Sequence, residues 1–132
     1  MKPIKLIIRT KTEKYPVLIG RDLVENLSNL FSQNSINSKK YLLIIDKKIP
    51  NKIISKVTKS LKKFELFKYT FEANEKNKNQ KSINKILNIL LKKNFTRNDC
   101  LVSIGGGITG DVTGFTASIF KRGLKFVNIP ST

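Results

Sequence analysis

The sequence alternates between short apolar runs and longer segments whose apolar residues recur at helical spacing. The runs YLLIID (41–46), CLVSI (100–104) and KFVNI (125–129) are typical of strands buried in a parallel sheet. The run LFKYTF (66–71) alternates between apolar and polar residues and is also predicted to be a strand. Because parallel strands need helical crossovers between them, this order predicts an α/β fold with a doubly wound, mostly parallel sheet.

Helices are predicted between these strands, and a hairpin is predicted before them. The β-rich runs at 4–9 and 15–19 are separated by a polar stretch, which favours a hairpin. The polar segment 72–80 is predicted to be a loop. Helices are predicted over 21–31 and 83–91. A further helix is predicted after Pro50, with the apolar residues Ile53, Ile54, Val57, Leu61 and Phe64. The last predicted helix is ended by Gly123 and carries on one face Ile108, Val112, Phe115 and Ile119.

The composition indicates a single globular domain of 132 residues with 39% hydrophobic content. The single cysteine, Cys100, excludes an internal disulfide, so we expect a small buried side chain and a reducing compartment. The apolar run near the N-terminus is too short for a signal peptide or a membrane span. These observations predict a cytoplasmic protein with no membrane partner.

The net charge of +17 raises the possibility of a basic module that binds nucleotides or nucleic acid. Most of the 26 cationic residues are lysines spread over every segment, whereas base recognition favours arginine. Lysine, asparagine and isoleucine are all abundant and all have A/T-rich codons, so genome composition explains the charge without a ligand. Nucleic-acid binding is therefore the less favoured alternative.

Four glycines follow the strand at 100–104, in the stretch Gly105-Gly106-Gly107-Ile108-Thr109-Gly110. Ligands of open parallel sheets bind at the carboxyl ends of strands, and glycine lets a ligand approach the main chain closely. The N-terminus of the next helix favours an anion, so the pattern predicts a cofactor that carries a pyrophosphate. A tight strand-to-helix turn remains an alternative, because the acid of the usual dinucleotide fingerprint and the lysine of a P-loop are both missing. Gly110, Gly114 and Ala117 also form a stripe suited to helix–sheet packing.

The segment GGGITGDVTGFTASIFKRGLKFVNIPST resembles the signature of the 3-dehydroquinate synthase family, shikimate-pathway enzymes of the sugar-phosphate cyclase superfamily. The Gly triplet, Gly-Asp, Gly-Phe, Arg-Gly and Pro-Ser-Thr elements have the family's spacing. YPVLIG, Asp46 and NEKNK match more loosely, and Asn74 replaces a family glycine with a residue that tolerates left-handed φ. Related sugar-phosphate cyclases share much of this pattern, so another such cyclase is the alternative within the enzyme class.

The resemblance implies a Rossmann-like fold and an NAD-dependent lyase. Enzymes of the family convert 3-deoxy-D-arabino-heptulosonate 7-phosphate to 3-dehydroquinate and phosphate, in the biosynthesis of chorismate and aromatic amino acids. The resemblance also implies a divalent metal, zinc or cobalt, and a homodimer of the full-length enzyme.

The resemblance assigns most of the cofactor site to the glycine turn and to two earlier segments. Gly106, Gly107 and Ile108 are expected to lay their backbone against the pyrophosphate. Asp46 is expected to accept hydrogen bonds from the adenosine ribose, and the alternative is an acid that ends a strand. Glu75 and Lys78 are expected to contact the cofactor, whereas without the resemblance they would be a solvated charged stretch.

The remaining residues implied by the resemblance lie after the glycine turn. Asp111 is expected near the nicotinamide end and the substrate, and its alternative role is that of a first-turn acid in a helix. Arg122 is expected to bind an anionic substrate group, in the neighbouring subunit of a dimer, and its alternative is a cation near a helix C-terminus. Ser131 and Thr132 are expected to offer hydroxyls to the nicotinamide ribose.

The family's metal ligands are one Glu and two His in a second, helical domain, and this sequence has no histidine. The resemblance therefore implies that residues 1–132 are a truncated N-terminal NAD-binding domain. We expect such a fragment to be inactive alone, with its metal ligands outside this chain.

Overall fold

A computed structural model describes residues 3–131. The predicted hairpin is confirmed: β1 (Ile4–Arg9) pairs antiparallel with β2 (Lys14–Ile19), with Ile4 opposite Ile19. These strands form a two-stranded sheet of their own. One face of this ribbon carries only apolar side chains, and most of them are exposed: Ile4, Leu6, Ile8, Tyr15, Val17 and Ile19.

The main sheet has four parallel strands, which confirms the predicted α/β class. They are β3 (Lys40–Asp46), β4 (Glu65–Phe71), β5 (Cys100–Gly105) and β6 (Lys125–Pro130), in the spatial order β4-β3-β5-β6. The chain passes from β3 outward to β4 and then returns to place β5 on the other side of β3. The boundary between β3 and β5 is therefore the point where the strand order reverses, where ligands of such folds bind.

Four α-helices cover this sheet: α1 (Leu27–Gln33), α2 (Asn51–Ser60), α3 (Gln80–Lys92) and α4 (Gly107–Ile119). The helix predicted at 21–31 begins as a short 3-10 helix, Leu23–Asn26. Two residues predicted on α2 lie outside it: Leu61 is its C-cap, and Phe64 lies in the turn before β4, where it packs on Tyr41. The loop predicted at 72–80 contains a 3-10 helix, Glu75–Asn77, and ends where α3 begins.

The apolar face predicted for α4 is wrong in part. Phe115 and Ile119 are 51% and 46% exposed, while the buried residues of α4 include Thr113 and Thr116. The Thr113 Oγ1 donates to the Thr109 carbonyl and the Thr116 Oγ1 donates to the Val112 carbonyl, both at 2.7 Å. With their hydroxyls satisfied inside the helix, these threonines pack as apolar side chains. The helix also ends at Ile119, and a 3-10 turn, Phe120–Arg122, precedes Gly123.

The core has two layers, one on each face of the sheet. Leu42, Ile44 and Leu101 pack against α3 and α4, and Leu43, Val102 and Ile104 pack against α1 and α2. Helices on both faces confirm the doubly wound arrangement. In residues 3–131, none of the helices has both the length and the apolar character needed to cross a bilayer.

The lone cysteine is buried, as expected. Cys100 is fully enclosed at the start of β5, and burial raises the pKa of its thiol to about 12. Its role is therefore that of a small core residue.

Candidate functional site

The glycine turn joins β5 to α4 at the point where the strand order reverses, directly beside the end of β3. A Cβ on Gly105 would lie 2.8 Å from the Thr109 Oγ1 and 2.9 Å from the Asp46 Cβ. Gly105 must therefore lack a side chain, and this absence lets Asp46 approach the turn. Sequence reasoning gave Gly105 no role of its own, although its place at the strand end was the available signal.

The first turn of α4 presents free backbone donors. Its N-cap, Gly106, offers no side chain, and the first helical bond runs from the Gly110 N–H to the Gly106 carbonyl at 3.1 Å. The N–H groups of Gly107, Ile108 and Thr109 are thus without helical acceptors. By contrast, α3 is capped by the Asn79 side chain, which accepts from the Ser82 N–H at 2.9 Å.

Two further features distinguish this turn. A Cβ built on Gly107 meets nothing within 4 Å, so the fold itself does not require glycine there. The Thr109 Oγ1 is buried and has no hydrogen-bond partner among the residues that the structure describes. An uncapped helix start with these features suits an anionic group.

Asp46, the last residue of β3, lies half-buried at the same edge. Its Oδ1 accepts a hydrogen bond from the Lys48 N–H at 3.2 Å. The structure thus brings Asp46 together with the glycine turn. The local turn bond also agrees with the alternative role of an acid that ends a strand.

Lys78 and Asp111 meet although they come from different segments. The Lys78 Nζ donates to the Asp111 Oδ2 at 3.1 Å, and this bond and charge raise the pKa of Lys78, with a smaller contribution from Glu75. Asp111 is the fifth residue of α4, so it does not lie in the first turn as its alternative role required.

Asn74 does not adopt the left-handed conformation considered for it. It is extended, with φ −152°, and its Oδ1 accepts from the Asn77 N–H at 2.9 Å. Asparagine therefore replaces the family glycine as the cap of the short helix that carries Glu75.

Ser131 lies beside the glycine turn, because its N–H donates to the Gly105 carbonyl at 2.9 Å. Thr132, the other predicted contact to the nicotinamide ribose, lies outside the described residues.

Arg122 is not brought together with the other predicted residues. It is exposed and follows α4 at the end remote from the glycine turn, roughly 20 Å away along a helix of this length. Its backbone is left-handed, with φ 69°. A role for Arg122 at the glycine turn of the same chain is therefore excluded by distance.

A cleft of about 370 Å³ opens between α4 and β6 beside the turn. Sequence reasoning missed its β6 wall, which consists of Phe126, Asn128 and Pro130. The alternation of β6 was the available signal, since every second residue of a strand faces the same side. The cleft is lined by Gly106, Gly107, Gly110, Asp111, Phe126, Asn128 and Pro130.

A second cavity of about 520 Å³ lies at the opposite end of the sheet and is lined by Arg97, Asn98, Gly123, Leu124 and Lys125. Over residues 3–131, no three His, Cys, Asp or Glu side chains are grouped so as to hold a metal ion.

The comparisons with known proteins agree with these features. The family model for the N-terminal part of 3-dehydroquinate synthase matches residues 68–132. A 3-dehydroquinate synthase of Pelagibacter ubique is 54% identical over 129 residues, which cover 98% of this chain and 35% of that protein. The chain matches the N-terminal portion of 3-dehydroquinate synthases. The expected resemblance is thus confirmed.

The 3-dehydroquinate synthase of Ruthia magnifica is 34% identical over all 132 residues of this chain, and the match covers 36% of that protein's length. The chain therefore spans about a third of the length of these 3-dehydroquinate synthases and matches their N-terminal portion.

Solved structures of similar fold are also known. A 2-deoxy-scyllo-inosose synthase complexed with carbaglucose-6-phosphate, NAD+ and Co2+ has a TM-score of 0.86 at 21% identity, over 98% of this chain and 35% of that one. The 2-epi-5-epi-valiolone synthase of Streptomyces hygroscopicus, with NAD+ and Zn2+ bound, has a TM-score of 0.73 at 19% identity. This match covers 96% of this chain and 35% of that one. These likenesses confirm the fold.

Proposed function

We propose that this chain is the NAD-binding part of a 3-dehydroquinate synthase. The full-length enzyme would convert 3-deoxy-D-arabino-heptulosonate 7-phosphate to 3-dehydroquinate and phosphate. The observation that carries the proposal is the uncapped start of α4, placed where the strand order reverses and next to the open space at Gly107.

The pyrophosphate of NAD would lie at this helix start. The N–H groups of Gly106, Gly107 and Ile108 are the donors proposed for it, and the positive end of the helix dipole favours its charge. The unpartnered hydroxyl of Thr109 lies at the same turn. On the β3 side, the Asp46 carboxylate would accept hydrogen bonds from the adenosine ribose.

The other residues would surround the cofactor from the neighbouring segments. Lys78 and Asp111 form a charged pair beside the cleft, and Glu75 adds a carboxylate to the same segment as Lys78. Asp111 would lie near the nicotinamide end of the cofactor and the substrate. Ser131 and Thr132 would lie near the nicotinamide ribose. When bound, NAD would supply the hydride acceptor and donor for oxidation and reduction of a ring hydroxyl.

The remaining parts of the enzyme would come from outside these residues. Zinc or cobalt would be held by the rest of the full-length protein. Arg122 would reach an anionic group of the substrate only across a homodimer, which agrees with its distance from the glycine turn. We further propose a cytoplasmic location.

The alternatives are less well supported. Identity of 54% to a 3-dehydroquinate synthase, against 21% to a 2-deoxy-scyllo-inosose synthase, favours the former chemistry over that of another sugar-phosphate cyclase. A nucleic-acid-binding module would not explain the open glycine turn.

A chimera tests the proposal. Residues 1–132 replace the matching N-terminal third of the Pelagibacter ubique enzyme, and phosphate release from the heptulosonate phosphate is measured with NAD and zinc or cobalt. We expect turnover by the chimera and none by the 132-residue chain alone. Gly107→Val should abolish NAD binding by the chimera and leave its circular dichroism unchanged. Unaltered NAD affinity in Gly107→Val would refute the assignment of the glycine turn.

A further inference from the structure

Asn128 is held in a fixed orientation inside the cleft. The Ser103 Oγ donates to the Asn128 Oδ1 at 2.7 Å, and Ser103 is completely buried in β5. With its Oδ1 engaged by Ser103, the Asn128 side chain has its Nδ2 donors left for another partner. Asn128 is exposed at the cleft wall, so this partner can come from a ligand.

The position of Asn128 relative to the turn indicates which half of a dinucleotide it meets. The glycine turn follows β5, with Asp46 of β3 on one side of it and β6 on the other. A dinucleotide whose pyrophosphate lies at the start of α4 thus extends one half over β3 and the other half over β6. If the adenosine ribose lies at Asp46, the nicotinamide half lies in the cleft with Asn128.

The chemistry of the cleft fits a flat ring with a carbonyl group. Phe126 and Pro130 provide apolar surface on β6, and Gly110 leaves space on α4. A Cβ on Gly110 would lie 3.2 Å from the Asn128 Oδ1 and 3.5 Å from its Nδ2, so glycine at this position keeps the amide accessible. The carboxamide oxygen of nicotinamide is a neutral acceptor that an amide N–H can bind.

We propose that Asn128 is a further cofactor-binding residue, whose Nδ2 donates to the carboxamide oxygen of NAD, and that Ser103 is its positioning residue. The proposal rests on the proposed function, since it requires NAD in the cleft. Asn128 then recognises the nicotinamide half and contributes nothing to binding of the adenosine half.

The test compares NAD with ADP-ribose, which lacks the nicotinamide ring. In ¹⁵N NMR spectra of the full chain, NAD should shift the side-chain amide resonances of Asn128, and ADP-ribose should leave them in place. Asn128→Ala should weaken NAD binding by about 3- to 10-fold, the loss of one neutral hydrogen bond, and leave the ADP-ribose affinity unchanged. Asn128→Asp keeps the shape but replaces the donor, so it should also weaken NAD binding. Asn98→Ala, at the far end of the sheet, is the matched control.

Ser103→Ala tests the positioning role. It should weaken NAD binding in the wild-type background and have no further effect in Asn128→Ala, because its contribution passes through Asn128. Additive losses would overturn that role.

The outcomes separate the two proposals. If the wild-type chain binds neither NAD nor ADP-ribose, the proposed function fails, and the inference fails with it. If NAD binds and Asn128→Ala and Asn128→Asp keep its affinity, or lose NAD and ADP-ribose equally, only the assignment of Asn128 is overturned.

Discussion

Lys78 and Asp111 are 33 positions apart in the sequence, and the Lys78 Nζ lies 3.1 Å from the Asp111 Oδ2. Lys78 precedes α3 and Asp111 belongs to α4, so their ion pair ties the segment after β4 to the helix after β5. Both side chains are substantially exposed, at 47% and 63%, and solvent therefore screens the pair. A ligand entering this edge of the sheet meets a lysine and an aspartate that already satisfy each other in the free protein.

Replacing Asp111 by asparagine should lower the pKa of Lys78 towards its ordinary value, because both the hydrogen bond and the opposite charge are lost. Since the pairing raises the pKa of Lys78, any stabilisation from it is present at neutral pH and is lost on the alkaline side as Lys78 loses its proton. An NMR titration of the Lys78 side chain measures this change. Glu72→Gln, which removes a carboxylate of the same segment that forms no ion pair with the other described residues, is the control. An unaltered Lys78 titration in Asp111→Asn would contradict the pairing.

Gly105→Ala and Gly107→Ala should change stability in opposite directions. The Cβ at position 105 meets Thr109 and Asp46, and overpacking of this kind costs about 1–3 kcal/mol. The Cβ at position 107 meets nothing, and alanine is a better helix former than glycine by up to about 1 kcal/mol. Urea unfolding of the free protein measures both. Equal destabilisation by the two substitutions would show that position 107 is not open.

The Cys100 thiol should be unreactive in the native protein. Burial raises its pKa to about 12, so neither the thiolate nor access for a reagent is available at mildly alkaline pH. A thiol reagent should label the chain only after denaturant unfolds it. Rapid labelling under native conditions would show that β5 is not enclosed.

The lysine surplus should give only weak, non-specific binding to DNA. Unrelated duplexes are expected to bind equally and to dissociate as salt rises, because phosphate contacts release counterions. Fluorescence anisotropy over a salt series measures this. Sub-micromolar, sequence-selective binding at about 0.15 M salt, near physiological ionic strength, would favour the nucleic-acid alternative.

Most of the sheet was predictable, because the strands in its interior are continuous apolar runs and such runs have few alternatives. The buried face of α4 was not, because Thr113 and Thr116 count as polar until their hydroxyls are seen to bond within the helix. Asp46 and the glycines could be placed at one edge from the strand order alone. The role proposed for Asn128 could not be predicted, since it depends on the hydrogen bond from Ser103 and on the closeness of Gly110 in α4, and neither contact is visible in the sequence.

The contact between α4 and β6 also limits how this protein can evolve. A Cβ on Gly114 would lie 3.0 Å from the Phe126 Cε2, and Gly110 faces Asn128 almost as closely, so the helix already presents only hydrogen atoms to the strand. Because no residue is smaller than glycine, any substitution at these two positions adds atoms between α4 and β6. A descendant that needs less room beside the turn can therefore obtain it with one mutation in α4. A descendant that needs more room must shorten side chains on β6 or shift the helix, which makes adaptation to smaller ligands the shorter route.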